Sequence, residues 1–520
     1  MNYQRPLTLI AICSLFSACM VGPDYKEPKK QAMTQWLSED PSIKKTPSHP
    51  LLWWEGFHDP VLTGLIKQGY HHNLSLQIAG VRVLQTRAQL AQSVGELYPQ
   101  QQAAIGNLTY NRIGGSSLQT LLPSNFETAL LGFTANWELD FWGKYRRAIQ
   151  SNDATFLSSF AAYDSALVTL TADIATAYIA FRTTEAQIKT TKENIQVQAF
   201  SLRIARARYQ AGQTSLVDVE QALTELSETE ASLPGLMTAL QREQDALGLL
   251  LGTTPTGVSK PLKIKKGIPK APFSVAVGIP RETLAKRPDI YQARLAAIAQ
   301  SESIGAVKAN LFPALSLSGT FAFASNNING ASISDLFQWS NRSSTFGPAV
   351  NWPLLNYGQI TNAVRVQDAS FEQALLNYIN LVLKAQQEVQ DQITGFIEAN
   401  KTVRLLSKAN RAATETLKLA LIRYKEGETD FTPVLNAEQQ QLRIQTSLIK
   451  AEGDVPATLV ALYRALGGGW EIRCGNDIVS TDLKQDMAKR TNWGPLLKPQ
   501  QHQPPVTNAQ QLNQLYLPTW

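Results

Sequence analysis

Cys19 is the residue whose setting most clearly implies chemistry. It follows Arg5, an apolar run from Leu7 to Phe16, and the small pair Ser17 and Ala18, which is the layout of a bacterial secretory signal ending at a cysteine. A lipoprotein signal peptidase requires such a small pair, so residues 1–18 read as a signal peptide and Cys19 as the lipidated residue. Phe16 stands where a Leu is usual, and an ordinary signal followed by Cys remains the alternative. Met20 follows in place of the Asp that retains lipoproteins at the inner membrane, which favours the outer membrane. Acyl chains anchor a protein without spanning the bilayer.

Little else in the chain suggests covalent chemistry. Cys13, Cys19 and Cys474 are the three cysteines, so cleavage and lipidation leave Cys474 alone, with no internal disulfide. The five histidines, His49, His58, His71, His72 and His502, lie in no metal-binding spacing. There is no Ser elbow, and no Gly-rich loop with Lys and Ser/Thr to cradle a phosphate. No cofactor is expected and an enzyme is disfavoured. Net charge is +6 without a basic arm or stripe, which argues against nucleic acid.

A second cluster of candidates lies in two related turns, Arg208 to Val219 and Arg423 to Val434. Gly212 and Gly427 are placed to stop one helix, and Thr214, Ser215, Thr429 or Asp430 to cap the next. Loops on a rigid scaffold carry contacts. Function is therefore expected to concentrate at these two tips, whose side chains include Leu216, Val219, Phe431 and Val434 and the acids Asp218, Glu428 and Asp430.

These turns belong to a tandem repeat. Trp137 matches Trp352, Gly143 matches Gly358, Arg208-Tyr209 matches Arg423-Tyr424, and Leu251-Gly252 matches Leu466-Gly467, each 215 positions apart (352 − 137). Leu97-Tyr98-Pro99 answers Leu311-Phe312-Pro313 one position closer. Each half predicts a helix, two strands and a long helical hairpin. In the strands Leu131, Phe133, Ala135, Trp137 and Leu139 alternate with polar residues. The series Leu315, Leu317, Gly319, Phe321 and Phe323 does the same, and weaker versions run through Phe346 to Trp352 and through Leu108 and Tyr110.

Alternation alone fits a soluble sheet or a lipid-facing wall. No apolar run is long enough for a membrane helix, so any crossing must be a β-barrel. Four strands per chain cannot close one, since the smallest single-chain barrels have about eight. Several copies are needed. After the strands, residues 144–209 and 359–424 hold no Pro and hardly any Gly, enough for helices of roughly 100 Å, with breaks expected near Thr183-Thr184 and Asn400 to Thr402. Their Ala, Ser, Thr and Gln content suits the wall of a water-filled tube better than a coiled-coil stalk, which would show cleaner heptads.

Four motifs occur in order within this repeat: Cys19 to Tyr25 (CMVGPDY), Trp53 to Pro60 (WWEGFHDP), Glu138 to Lys144 (ELDFWGK) with Arg146-Arg147, and Arg287-Pro288-Asp289-Ile290. With them the chain, from Cys19 to Trp470, resembles the TolC-type outer-membrane efflux proteins, in particular their lipoprotein branch. The resemblance implies an α+β membrane protein: a trimer whose 12-stranded β-barrel continues into a long α-helical periplasmic barrel. It implies partners in a periplasmic adaptor, an inner-membrane pump and outer-membrane lipid, and passive export of small molecules. It also assigns the two tips to the adaptor and to the tunnel's closed end, so that Gly212, Leu216, Val219, Gly427, Phe431 and Val434 are expected to form the docking surface and Asp218, Glu428 and Asp430 the gate. Type I protein secretion and a structural periplasmic lipoprotein are the alternatives. The expected division is a linker and equatorial segment at 19–58, repeats at 59–252 and 281–470 separated by a linker at 253–280, and a polar tail at 471–520. Trp53 and Trp54 read as a structural anchor.

Overall fold

A computed structural model describes residues 20–28, 35–37, 40–44, 52–114, 123–264, 266–272, 274–278, 280, 284, 286–328, 331–474 and 476–499. Cys19 and residues 500–520 lie outside the described residues. In chain order the main elements are β1 (Ile43–Lys44), α1 (Pro60–His72), α2 (Leu74–Gly95), β2 (Gln101–Arg112), β3 (Asn125–Leu139), α3 (Lys144–Gln210), α4 (Leu216–Leu250), α5 (Pro255–Leu262), β4 (Val275–Ala276), α6 (Pro288–Lys308), β5 (Ala314–Asn326), β6 (Arg342–Asn351), α7 (Gln359–Glu426), α8 (Thr432–Ala465) and α9 (Thr481–Arg490). None of the described helices is long and apolar enough to cross a membrane.

The four long strands form one antiparallel sheet in the order β2-β3-β5-β6, so β2 and β6 each keep an unpaired edge. Register sorts the side chains cleanly. Phe133 lies opposite Phe321, Leu131 opposite Phe323, Trp137 opposite Leu317, and Gly319 opposite Phe346, while Thr134 faces Thr320 and Ser318 faces Gly347. One face is therefore apolar and the other is small and polar. Most of the apolar face packs on nothing within the chain: Phe133 is 68% and Phe346 80% exposed, and Phe323 at one end meets the Phe337 and Trp339 rings. Trp352 lies just past β6 rather than within it, and its Nε1 donates to Leu311 O at 3.1 Å, as Trp137 Nε1 does to Leu97 O at 3.1 Å.

The Glu138 to Arg147 motif turns strand into helix through the short connection 140–143. Asp140 accepts from the backbone N–H groups of Tyr145 and Arg146 at 2.9 and 3.0 Å, satisfying donors that a helix start leaves free. Its carboxylate also binds Arg146 Nε at 2.9 Å. Glu138 holds Lys144 and the Tyr145 hydroxyl, each at 3.1 Å. Trp142 stacks on Phe312 and donates to Pro313 O. Gly143 takes φ +76°, and Gly358 repeats it at +79°. Residues 20–28 cross this junction as a strap: Val21 N donates to Trp142 O, Asp24 binds Arg147, and Glu27 meets Arg294 and the Tyr378 hydroxyl.

Helices α3 and α7 run unbroken for 67 and 68 residues. The breaks expected near Thr183-Thr184 and Asn400 to Thr402 are absent. Thr183 Oγ1 donates to Ile179 O, Asn400 Nδ2 to Phe396 O and Thr402 Oγ1 to Glu398 O, so these polar side chains bond back to the preceding turn within an intact helix. The main apolar core gathers α1, the first half of α3, the end of α8 and the Trp53-Trp54 pair. Trp54 is fully buried and Trp53 stacks on Tyr463 at 5.4 Å, as an anchor should. Arg182 marks one limit of this core, donating to Leu262 O and Ile264 O.

Asp59 caps α1, accepting from Val61 N at 2.9 Å with Pro60 at the first helical position. It also accepts from the Tyr178 hydroxyl at 2.8 Å. Pro288 likewise opens α6, but Asp289 does not cap it as Asp59 does; Arg287 claims its carboxylate and continues to Glu388 and to Ala465 O. That motif ties the start of the second repeat to the end of its last long helix. Of the chain beyond Trp470, the described part packs on α2 and α3: Arg473 pairs with Asp164 of α3, Val479 and Met487 lie against Leu84, and the Arg87 guanidinium donates to Leu496 O and Lys498 O.

Candidate functional site

At the far ends of the α3–α4 and α7–α8 hairpins the two turns share one backbone. Gly212 and Gly427 take φ +71° and +82°, the left-handed region in which a Cβ is strained. Gly212 N donates to Tyr209 O and Gln213 N to Arg208 O; Gly427 N donates to Tyr424 O and Glu428 N to Arg423 O. This double closure satisfies carbonyls that a helix end leaves free. The helices that follow start differently. Ser215 precedes α4 without a capping side-chain bond, Thr214 turns to Asp218 instead, and Asp430 Oδ1 accepts from Thr432 N at 3.2 Å.

The two tips are locked together by side chains from both hairpins. Arg208 lays its guanidinium 4.6 Å above the Tyr424 ring and donates to Tyr424 O across the gap. The Tyr424 hydroxyl donates to Asp218 Oδ2 at 3.3 Å, and Thr214 Oγ1 donates to the same oxygen. Burial, and then the charge of Asp218, push the Tyr424 hydroxyl above its ordinary pKa. Behind this lock Val219, Tyr424, Phe431 and Val434 form an apolar cluster with Leu202 and Leu417, and Tyr424 meets Phe431 edge to face at 5.3 Å.

The expected docking surface is therefore divided. Gly212, Leu216 and Gly427 are exposed, but Val219 is 7% exposed and Phe431 and Val434 are fully buried. These three hold the hairpins to each other and present no side chain to a partner in this conformation. Their apolar surface is covered by the opposite hairpin, a long-range contact that a turn motif does not reveal. The acids divide as well. Asp218 is buried in the lock, whereas Glu428 pairs with Arg423 at 3.2 Å on the open surface and Asp430 serves its own turn. For Arg208 and Tyr424 the only signal in the sequence is the Arg-Tyr pair repeated at 208-209 and 423-424, and Thr214, expected as a possible cap, bonds Asp218 instead. Among the described residues no group of His, Cys, Asp and Glu could hold a metal ion.

Comparison with known proteins gives one answer. The family profile described as outer membrane efflux protein matches the chain twice, over residues 65–253 and 279–468. The toluene efflux pump outer membrane protein TtgC of Pseudomonas putida is 28% identical over 481 residues, covering 90% of this chain and 96% of TtgC. Nodulation protein T of Rhizobium leguminosarum bv. trifolii is 28% identical over 459 residues, 88% of this chain and 96% of that protein. The cation efflux system protein CusC of Escherichia coli is 24% identical over 472 residues, 90% and 100%. Among solved structures, the outer-membrane channel OprN superposes with a TM-score of 0.81 at 28% identity, covering 87% of this chain and all of that one. With both profile matches falling on the two helical hairpins and the strands between them, this chain belongs to the outer membrane efflux protein family.

Proposed function

We propose that three copies of this chain close one 12-stranded barrel in the outer membrane and one helical tunnel in the periplasm, and that the tunnel end is shut by the Arg208–Tyr424–Asp218 lock. The observation that carries this reading is the sheet: an apolar face left largely open and unpaired edges on β2 and β6. Neither is tolerated in isolation, because unsatisfied backbone in lipid costs several kcal/mol per group. Side-by-side copies pair the edges, and the membrane covers the apolar face. The polar face then lines the water-filled bore.

In this reading Cys19 carries the lipid, and the strap of residues 20–28 ties it to the strand-to-helix junction. The chain is a passive conduit without catalysis, supplied by an inner-membrane pump through a periplasmic adaptor. Gly212, Leu216 and Gly427 are the exposed tip residues that meet the adaptor, and Glu428 and Asp430 are acids at the same rim. The relatives named for toluene and cation efflux support small-molecule export. The test is electrophoresis of unboiled protein together with conductance in planar bilayers. An SDS-resistant trimer with low basal conductance, raised on removing Asp218, is expected; a monomer in detergent and lipid alike would sink the proposal.

A further inference from the structure

Behind the tip lock lies a second contact layer, made almost entirely of polar side chains. Glu225 of α4 accepts from Gln198 Nε2 of α3 at 3.3 Å and from Gln439 Nε2 of α8 at 2.8 Å. Glu438 of α8 accepts from Ser201 Oγ of α3 at 2.5 Å. Gln441 of α8 reaches Thr414 of α7 at 3.3 Å, so the layer joins all four hairpin helices. It is buried: Glu225 is 5%, Glu438 3%, Gln198 2% and Ser201 0% exposed, and beside it Glu225 and Gln439 border a surface groove with the exposed α4 acids Glu220 and Glu228.

We propose that Glu225 and Glu438 make closure of the tunnel end pH-dependent, holding the hairpins together in acid and releasing them as the pH rises. The inference rests on the reading that these tips gate the conduit. Its physical basis is two carboxyl groups in one buried layer with no cation beside them. On α3 the facing groups, Gln198 and Ser201, are neutral, and Arg203 lies over the Phe200 ring on the exposed side. On α7 Thr414 faces the layer, while Lys418 pairs with Glu415 on the surface and Arg411 is exposed. On α8 Arg443 holds Gln440. Asp218 of α4 is engaged by Thr214 and Tyr424, with Arg208 on the same ring.

Burial is the main cause acting on Glu438, with the charge of Glu225 added, and together they push its carboxyl up to about 7 from 4.5. The closed layer thus holds a proton that a hydrated, parted layer gives up. Closed-state stability from this group is fully present below the ordinary carboxyl value and is lost as pH rises towards about 7. Between pH 5 and pH 7.5 the closed-to-open ratio should fall on the order of tenfold or more.

The experiment uses the full channel in planar bilayers at both pH values, with hydrogen exchange of the hairpin tips, corrected for intrinsic rate, as a readout independent of conduction. Wild type should open more, and exchange faster at residues 194–213 and 428–445, at pH 7.5. Glu438→Gln keeps an acceptor for Ser201 and should hold both readouts at their acid values; Glu225→Gln should move the transition to lower pH. If wild type shows no pH response in exchange, or the double variant E225Q/E438Q keeps it, the inference is overturned. If exchange responds as expected while conductance stays absent throughout, the acid pair stands and the assignment of the gate falls.

Discussion

The two hairpin tips have the same backbone and opposite surroundings. Tyr209 of the first is 45% exposed and its counterpart Tyr424 is fully buried; Leu216 is 50% exposed and its counterpart Phe431 is fully buried. A Cβ on Gly212 would meet nothing within 4 Å, whereas one on Gly427 lies 3.5 Å from Arg208 of the first tip. The repeat therefore preserves how each chain reversal is made and lets the side chains diverge. The second tip supplies an apolar socket, and the first supplies the polar arm, Arg208 and Asp218, that reaches into it.

Substituting equivalent positions tests that division. Phe431→Ala should cost about 3–5 kcal/mol, as for other fully buried aromatics, and expose the hairpin ends to limited proteolysis. Leu216→Ala should stay within about 0.5 kcal/mol by thermal melting. Equal losses would end the asymmetry. Next, Asp218→Ala leaves the buried Tyr424 hydroxyl without its acceptor, a cost of about 1–3 kcal/mol, and should raise basal conductance in bilayers. Tyr424→Phe should do the same and Tyr209→Phe should not. Gly212→Ala and Gly427→Ala probe what the tips share: each should lose about 1 kcal/mol from the left-handed backbone alone, and a clear difference would mean that the surroundings matter there too. Smallest of all, Glu428→Gln should leave both melting and conductance unchanged, because an exposed ion pair contributes little.

The sheet and the long helices were legible because each leaves a periodic trace in its own segment. Leu131 to Leu139 alternates without a fault, and the observed register places those residues with Leu315 to Phe323 on one face. The Glu138 to Arg147 motif was visible as a pattern, but its reason, Asp140 satisfying two free N–H groups, needed coordinates. Burial at the tips was not legible. Nothing near Phe431 in sequence distinguishes it from Leu216; the cluster that buries it joins Tyr424 of its own hairpin to Leu202 and Val219 of the other. Glu225 and Glu438 escaped notice for a related reason, since each looks like a solvated helix acid until a second hairpin covers it. Thr183 and Asn400 misled in the opposite sense, reading as weak points while bonding back into their own helices.

The unbroken length of α3 has a mechanical consequence. From Arg182, held to Leu262 and Ile264, to the end of the helix at Gln210 there is a rigid arm of roughly 40 Å. A tilt of about 5° at its root would carry the far end by about 3–4 Å, as much as the full length of the hydrogen bond between Tyr424 and Asp218. A small rearrangement in the middle of the molecule is thus geared up to a bond-breaking displacement at its end.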